Sequence, residues 1–244
     1  VSFIWEGVRE AVDLLLHGDP QVMHILGTTL HIAVFSTALA LLFGLPCGLA
    51  LGLGRFRGRG VGVALLNAGL GLPPVVVGLV VALFLFRGAP LGGLDLIYTV
   101  NGIVLAQAIL AFPIVAAFTA SAVQALPGAL FEQARALGAS KLQVGALALR
   151  EARVGVFGAL IAAFGSALSE VGAVVLVGGN IAGQTQTLAS AVLTEVSTGE
   201  YGTAIALGIL LLGLILICGA GLTLLQQRGS VPRGGVGATR WRAS

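Results

Sequence analysis

Five long apolar runs, separated by short clusters of charge, decide what this chain can fold into. They fall at about 24–52, 61–86, 100–124, 155–178 and 202–225. Each is long enough for a helix that crosses a hydrocarbon core, which takes about 20 mostly apolar residues. Of the 244 residues 57% are hydrophobic and only 9% are charged, with a mean hydropathy of +1.03. A water-soluble domain carries about 25% charged residues, so this chain cannot cover a surface in water. The expectation is an all-α, polytopic membrane bundle of five transmembrane helices embedded in lipid.

The charges set the orientation. Arg55, Arg57 and Arg59 follow the first run; Arg135, Lys141, Arg150 and Arg153 follow the third; Arg228, Arg233, Arg240 and Arg242 follow the fifth. The other side holds only Arg9 and Arg87. Basic loops stay in the cytoplasm, so the N-terminus is expected outside and the C-terminus inside. The net charge of +3 is topology rather than a nucleic-acid footprint, because no basic face and no aromatic interleaving accompany it.

Residues 1–23 read as an external amphipathic segment. Ile4, Val8, Ala11, Val12 and Leu15 make one apolar face of a helix, and Glu6, Glu10 and Asp13 lie elsewhere. The acidic polar face favours packing on protein over packing on lipid. The segment lacks a basic n-region and so does not read as a signal peptide. His17-Gly18-Asp19-Pro20 breaks it, with Asp19 placed to cap the next helix. The membrane domain then covers 24–227, and 228–244, rich in Gly and Arg without periodicity, reads as a disordered cytoplasmic tail.

Several chemistries are excluded. Cys47 and Cys218 lie in apolar runs without a paired spacing and read as buried small hydrophobes. His17, His24 and His31 are spaced by seven, or about 10.5 Å on a helix, too far apart to share one metal. Ser166 and Ser169 have no histidine in the chain after His31 to act as a base. The sole lysine, Lys141, follows Ala139-Ser140 rather than a glycine loop, so no phosphate-binding loop is present. No catalytic residue, metal or cofactor is expected on this chain. If ATP drives it, another polypeptide binds the nucleotide.

One charged, helix-prone stretch stands between the third and fourth runs. Residues 125–153 hold Glu132, Arg135, Lys141, Arg150, Glu151 and Arg153, with Gly138 in the middle. Two short helices about a glycine turn would form a cytoplasmic knob that docks on a partner. Glu132-Gln133-Ala134, three residues, then Gly138-Ala139-Ser140 resembles the E-A-A-x-x-x-G loop of bacterial ABC-importer permeases. The resemblance implies a type I importer permease fold. It also implies that this loop fits a groove on a cytoplasmic ABC ATPase, which uses the ATP and Mg²⁺. A homodimer of permeases and an extracytoplasmic binding protein complete the implied assembly. The family pattern ends in I-x-L-P where this chain has Ala148-Leu149-Arg150-Glu151. Ala167 to Val174, Val177 to Ile181 with Gly183-Gln184-Thr185, and Gly71 to Gly78 are similar to permeases of the tungstate/molybdate group, nearest the tungstate type. That implies import of an oxyanion, tungstate or molybdate, across the bacterial inner membrane.

Candidate pathway or gate residues are Ser166, Ser169, Glu170, Gly172, Gly179 and Asn180. Glu170 is the one carboxylate well inside an apolar run, and burying it without a partner is costly. It is expected to act as a hydrogen-bonded pivot, with Ser166 one helical turn away as its partner. The alternative is a stand-alone ion-coupled carrier in which Glu170 takes the proton. A static scaffold would leave 128–153 unexplained. Gly158, Ala162, Gly165, Ser169 and Gly172 form a small-residue face expected to pack closely. Pro46, Pro73-Pro74 and Pro113 are expected to bend or break their helices. No Lys or Arg lies mid-span, so selection of a dianion is assigned to the external binding protein. Gly178-Gly179-Asn180 and Gln184 to Thr187 offer only neutral donors near the outer end.

Overall fold

The computed structural model describes residues 5, 7–9, 11, 13 and 19–229. Among these residues the regular structure is helical, without strands. The expected tail lies outside them, apart from its first two residues, and so do parts of the N-terminal segment.

The chain enters its first long helix, α1 (Pro20–Leu53), as the sequence requires. Asp19 accepts hydrogen bonds from the Gln21 and Val22 N–H groups, and Pro20 occupies the first turn. Before it, Trp5, Gly7 to Arg9, Ala11 and Asp13 are helical. Ala11 is buried in a cluster with Ile25, Ala206 and Leu207. The helices that follow are α2 (Arg59–Gly69), α3 (Pro74–Leu85), α4 (Val100–Gln124), α5 (Gly128–Ala136), α6 (Lys141–Glu151), α7 (Arg153–Ser169), α8 (Gly172–Gly178), α9 (Leu188–Thr198) and α10 (Tyr201–Gly229).

Three helices are long and apolar enough to cross a membrane unbroken: α1, α4 and α10. The second expected span is split. Its halves α2 and α3 meet at 102°, because Gly71-Leu72-Pro73 leaves the helical path and Pro74 restarts it at the first turn. The fourth expected span is also interrupted. α7 stops at Ser169, and α8 runs only from Gly172. With 17 residues, α7 rises about 25 Å, less than a core about 30 Å thick, so α7 alone does not span it. Pro46 and Pro113 break nothing: both lie within continuous helices. Pro113 instead is a packing surface, against which Gly69 of α2 sits.

The core is organised around α1 and α4. Gly44, Gly48 and Gly52 form a row at i, i+4, i+8 on α1, facing Val115, Thr119 and Val123 on α4. A Cβ placed on Gly48 would stand 2.7 Å from the Thr119 Cβ and 2.7 Å from the Ala116 carbonyl oxygen. The two backbones therefore approach as only glycine allows. Ala163 of α7 joins Ala40, Ala111 and Val115 in the next layer. α10 closes the bundle through Leu214 and Ile215 beside Ala33 and Leu168, while its Leu216 and Ile217 are over 70% exposed and suit lipid. Arg55, Arg59 and Arg135 line one cavity, and Lys141 joins Arg55 and Arg135 at another. The basic loops are thus gathered at one end.

Candidate functional site

At the basic end, α5 and α6 form a helix–turn–helix knob. α5 ends in a Schellman turn: the Ala139 N–H bonds the Ala134 carbonyl, and the Gly138 N–H bonds the Arg135 carbonyl. Gly138 has φ +85, a torsion that penalises any residue with a Cβ. Nothing lies within 4 Å of where that Cβ would go, so the glycine serves torsion rather than space. Ser140 then caps α6 in a reciprocal box with Gln143. Glu132 and Gln133 are exposed; Glu132 shares a cavity of about 330 Å³ with Arg55, Arg59 and Arg135. Phe131, Val144 and Ala148 bury the inner side of the knob against Val123. Without a proline at its exit, α6 continues to Glu151 and turns by 72° into α7.

The outer side of the knob carries a signal the sequence reading did not single out. Leu137 is 89% exposed and Leu142 87% exposed. Two large apolar side chains are held out from the bundle on a turn whose backbone groups are satisfied. Such a surface suits a protein pocket better than water.

Toward the other end, the structure brings two of the singled-out stretches together. Gly78 of α3 rests on Ala173, and Gly172 rests on Val75, each too close for a Cβ. Glu170 lies at the break between α7 and α8, half-buried. Its Oε1 accepts the Ala173 N–H at 3.1 Å and so satisfies a free donor in the first turn of α8. Ser166 is not its partner. Ser169 turns its hydroxyl back to the carbonyls of Gly165 and Ser166, and both serines are exposed.

The expected packing face of α7 also differs. The buried row is Ala159, Ala163 and Ala167. Gly158, Ala162 and Gly165 lie on the open side, and a Cβ on either glycine would meet nothing within 4 Å. Gln107, on α4, fixes the end of α7: its Nε2 donates to the Ala167 carbonyl at 3.2 Å, and Ser36 donates to its Oε1. A lone buried glutamine in an apolar run was the available clue.

Gly179 and Asn180 make a left-handed turn at φ +73 and +50. Asn180 donates from Nδ2 to Thr194, and Thr185 bridges the Gly178 carbonyl and the Ile181 N–H. The Leu188 N–H reaches Thr29 on α1. Thr185, Gln186 and Thr187 are buried, and of this group Gln184 alone is exposed. The segment is tied into α1, α8 and α9.

Residues 44–230 match the family described as "Binding-protein-dependent transport system inner membrane component". A Haloferax volcanii protein named "Probable anion ABC transporter permease protein" is 42% identical over 207 residues, covering 82% of this chain and 89% of its own. The "Tungstate uptake system permease protein TupB" of Peptoclostridium acidaminophilum is 37% identical over 227 residues, covering 93% of this chain and 100% of its own. Among solved structures, an inward-facing conformation of the MetNI methionine ABC transporter superposes with a TM-score of 0.72 at 18% identity. It covers 87% of this chain and 98% of that one, a likeness of fold.

Proposed function

The chain belongs to the family of binding-protein-dependent transport system inner membrane components, and we propose that it is the membrane subunit of an ATP-driven oxyanion importer, with tungstate as cargo and molybdate as the competing ion. It is a multi-pass inner membrane protein and a transport subunit. One observation carries the ATP-driven part of this reading: Leu137 and Leu142 stand exposed on a capped helical turn at the basic end. A rigid apolar knob of this kind fits a groove on a soluble protein. The partner is a separate ABC ATPase, which binds ATP and Mg²⁺. The basic end is then cytoplasmic by the distribution of Lys and Arg, and the start of α1 lies outside.

Two copies of the chain surround the path. On the open face of α7 a Cβ on Gly158 or Gly165 would meet nothing within 4 Å, which leaves room for the close approach of a second helix. An extracytoplasmic binding protein selects the anion, because the spans hold no Lys or Arg at mid-depth. Tungstate is favoured by the likeness to the Peptoclostridium permease along nearly the whole chain. The ion-coupled carrier reading leaves the knob without a purpose, and the Glu170 carboxylate it would use is engaged in ending one helix and starting another.

The test is co-purification with the ATPase and binding protein, then uptake of tungstate into vesicles against competing molybdate. Uptake should require ATP and the ATPase chain. Uptake driven by a proton gradient without the ATPase would overturn the proposal.

A further inference from the structure

Between the first turns of α1 and α4, at the end opposite the basic loops, lies a cleft of about 480 Å³. His24, Thr28 and His31 rise along one side of α1; Asn101 on α4 and Gln184 complete it. Every one of these side chains can donate a hydrogen bond, and no carboxylate lines the cleft. The nearest acid on α1, Asp19, spends its Oδ1 on the Gln21 and Val22 amides. Val100 and Asn101 open α4, ahead of the Gly102 N–H that Thr99 caps, so the positive end of that helix also faces the cleft.

Thr28 is the most buried polar side chain of the cleft. It is only 9% exposed, yet it lines the cleft and its hydroxyl has no hydrogen-bond partner among the described residues. A threonine in a helix commonly bonds back to the carbonyl four residues earlier. Its neighbour Thr29 does so, to Ile25 at 2.7 Å, and also accepts the Leu188 N–H. Thr28 makes no such bond, and it lines the cleft.

Depth adds to this. With 34 residues, α1 is about 51 Å long and outruns a core about 30 Å thick by about 20 Å. With the excess shared between the ends, His24 sits at the interface and His31 about 6 Å inside the hydrocarbon depth. His31 is exposed there, stacked on Phe35 with ring centroids 4.4 Å apart. An exposed imidazole at that depth belongs to water or ligand rather than to acyl chains.

We propose that this cleft is the entry site at which the membrane subunit first holds a tetrahedral oxyanion, His24 and Asn101 at the outer rung and Thr28 and His31 at the inner. The two histidines are about 10.5 Å apart along α1, with Thr28 between them, so the ion passes from one to the other rather than touching both at once. The site supplies the donors that the basic residues of the spans do not. This inference rests on the reading of the chain as an oxyanion importer subunit.

The experiment uses the full complex in proteoliposomes of phosphatidylethanolamine and phosphatidylglycerol, with binding protein loaded with sodium tungstate. Four variants are compared: Thr28→Val, which keeps shape and removes the hydroxyl, His31→Leu, His31→Gln, and the Thr28→Val/His31→Leu pair. Each is checked for membrane abundance and for ATP hydrolysis stimulated by loaded binding protein. Thr28→Val and His31→Leu should each lower uptake about tenfold, the scale of one lost hydrogen bond to an anion, while stimulated hydrolysis persists. His31→Gln, which keeps a donor, should recover most of the uptake. Wild-type uptake in the Thr28→Val/His31→Leu variant would overturn the entry site, as would a His31→Gln variant no better than His31→Leu. If His31→Leu fails to assemble, the isosteric Thr28→Val decides alone. A wild-type complex that imports no oxyanion would instead sink the function proposed above.

Discussion

Two rows of small residues, nearly identical as sequence patterns, behave oppositely in this molecule. Gly44, Gly48 and Gly52 on α1 are pressed against Val115, Thr119 and Val123 of the same chain. Gly158, Ala162 and Gly165 on α7 are only half-buried, and the two glycines have open space where a side chain would go. A small-residue period announces close approach without saying of what. In the first row the neighbour is intramolecular, and the row is a requirement for folding. In the second no such neighbour is present, and on the dimer reading proposed above the row would serve assembly.

The sharpest way to break the comparison is to fill both rows. Gly48→Leu drives a side chain into the Ala116 carbonyl and Thr119. Overpacking of this kind costs about 3 kcal/mol or more when the backbone cannot retreat, so membrane abundance and the thermal midpoint in detergent should both collapse. Gly165→Leu should leave the single chain within about 0.5 kcal/mol of the parent, because nothing is displaced. Its effect should appear in cross-linking between copies and in transport, both of which should fall sharply. A Gly165→Leu chain that still dimerises and transports would show that the open face meets lipid. A stable Gly48→Leu chain would remove the distinction altogether.

The legibility of the fold follows the same division. Lengths, caps and turns are local, and they could be read from the sequence: Asp19-Pro20 begins α1, and Gly138 followed by Ser140 ends α5 and starts α6. What required three dimensions was pairing. The small face chosen from sequence lay on α7, while the row that holds the core lay unremarked on α1. The prolines illustrate the point again. Pro73-Pro74 breaks a span because Gly71 and Leu72 precede it with no helix to continue, whereas Pro46 and Pro113 are carried within long packed helices. The interruption at Glu170 was hidden because both flanks are apolar, and α9 because its 11 residues are too few for a span. His24 and His31 are visible in the sequence, but their spacing speaks only against a shared metal.

Gly138 sharpens the comparison from a third direction, since it is glycine for neither of the two reasons above. Its Cβ would meet nothing, but its φ of +85 would strain. Gly138→Val should cost about 1–2 kcal/mol locally, less than Gly48→Leu, and the spans should still insert. Co-purification with the ATPase and substrate-stimulated hydrolysis should both drop at normal membrane abundance, because Leu137 and Leu142 lose the turn that presents them. Undiminished ATPase binding with undiminished stimulated hydrolysis would sink the docking role of the knob.

The smallest effect is expected at the end of the open row, where Glu170 joins α7 to α8. The carboxylate oxygen accepts one N–H, from Ala173, and an amide oxygen can accept the same bond. Glu170→Gln therefore gives up only the charge at a short helix N-terminus, worth about 0.3–1 kcal/mol, and most transport should survive. Glu170→Ala removes the acceptor, which at a helix cap costs about 0.5–2 kcal/mol. It should loosen the contact of Gly172 with Val75 and lower transport further than the Gln change. The ordering of the two variants carries the test. A capping role requires Gln to stand well above Ala in uptake at equal membrane abundance. Complete loss in the Gln variant, with the complex assembled, would mean that the proton on this carboxyl matters to the cycle. Glu170 would then be a carrier group rather than the acceptor that holds two helix ends together.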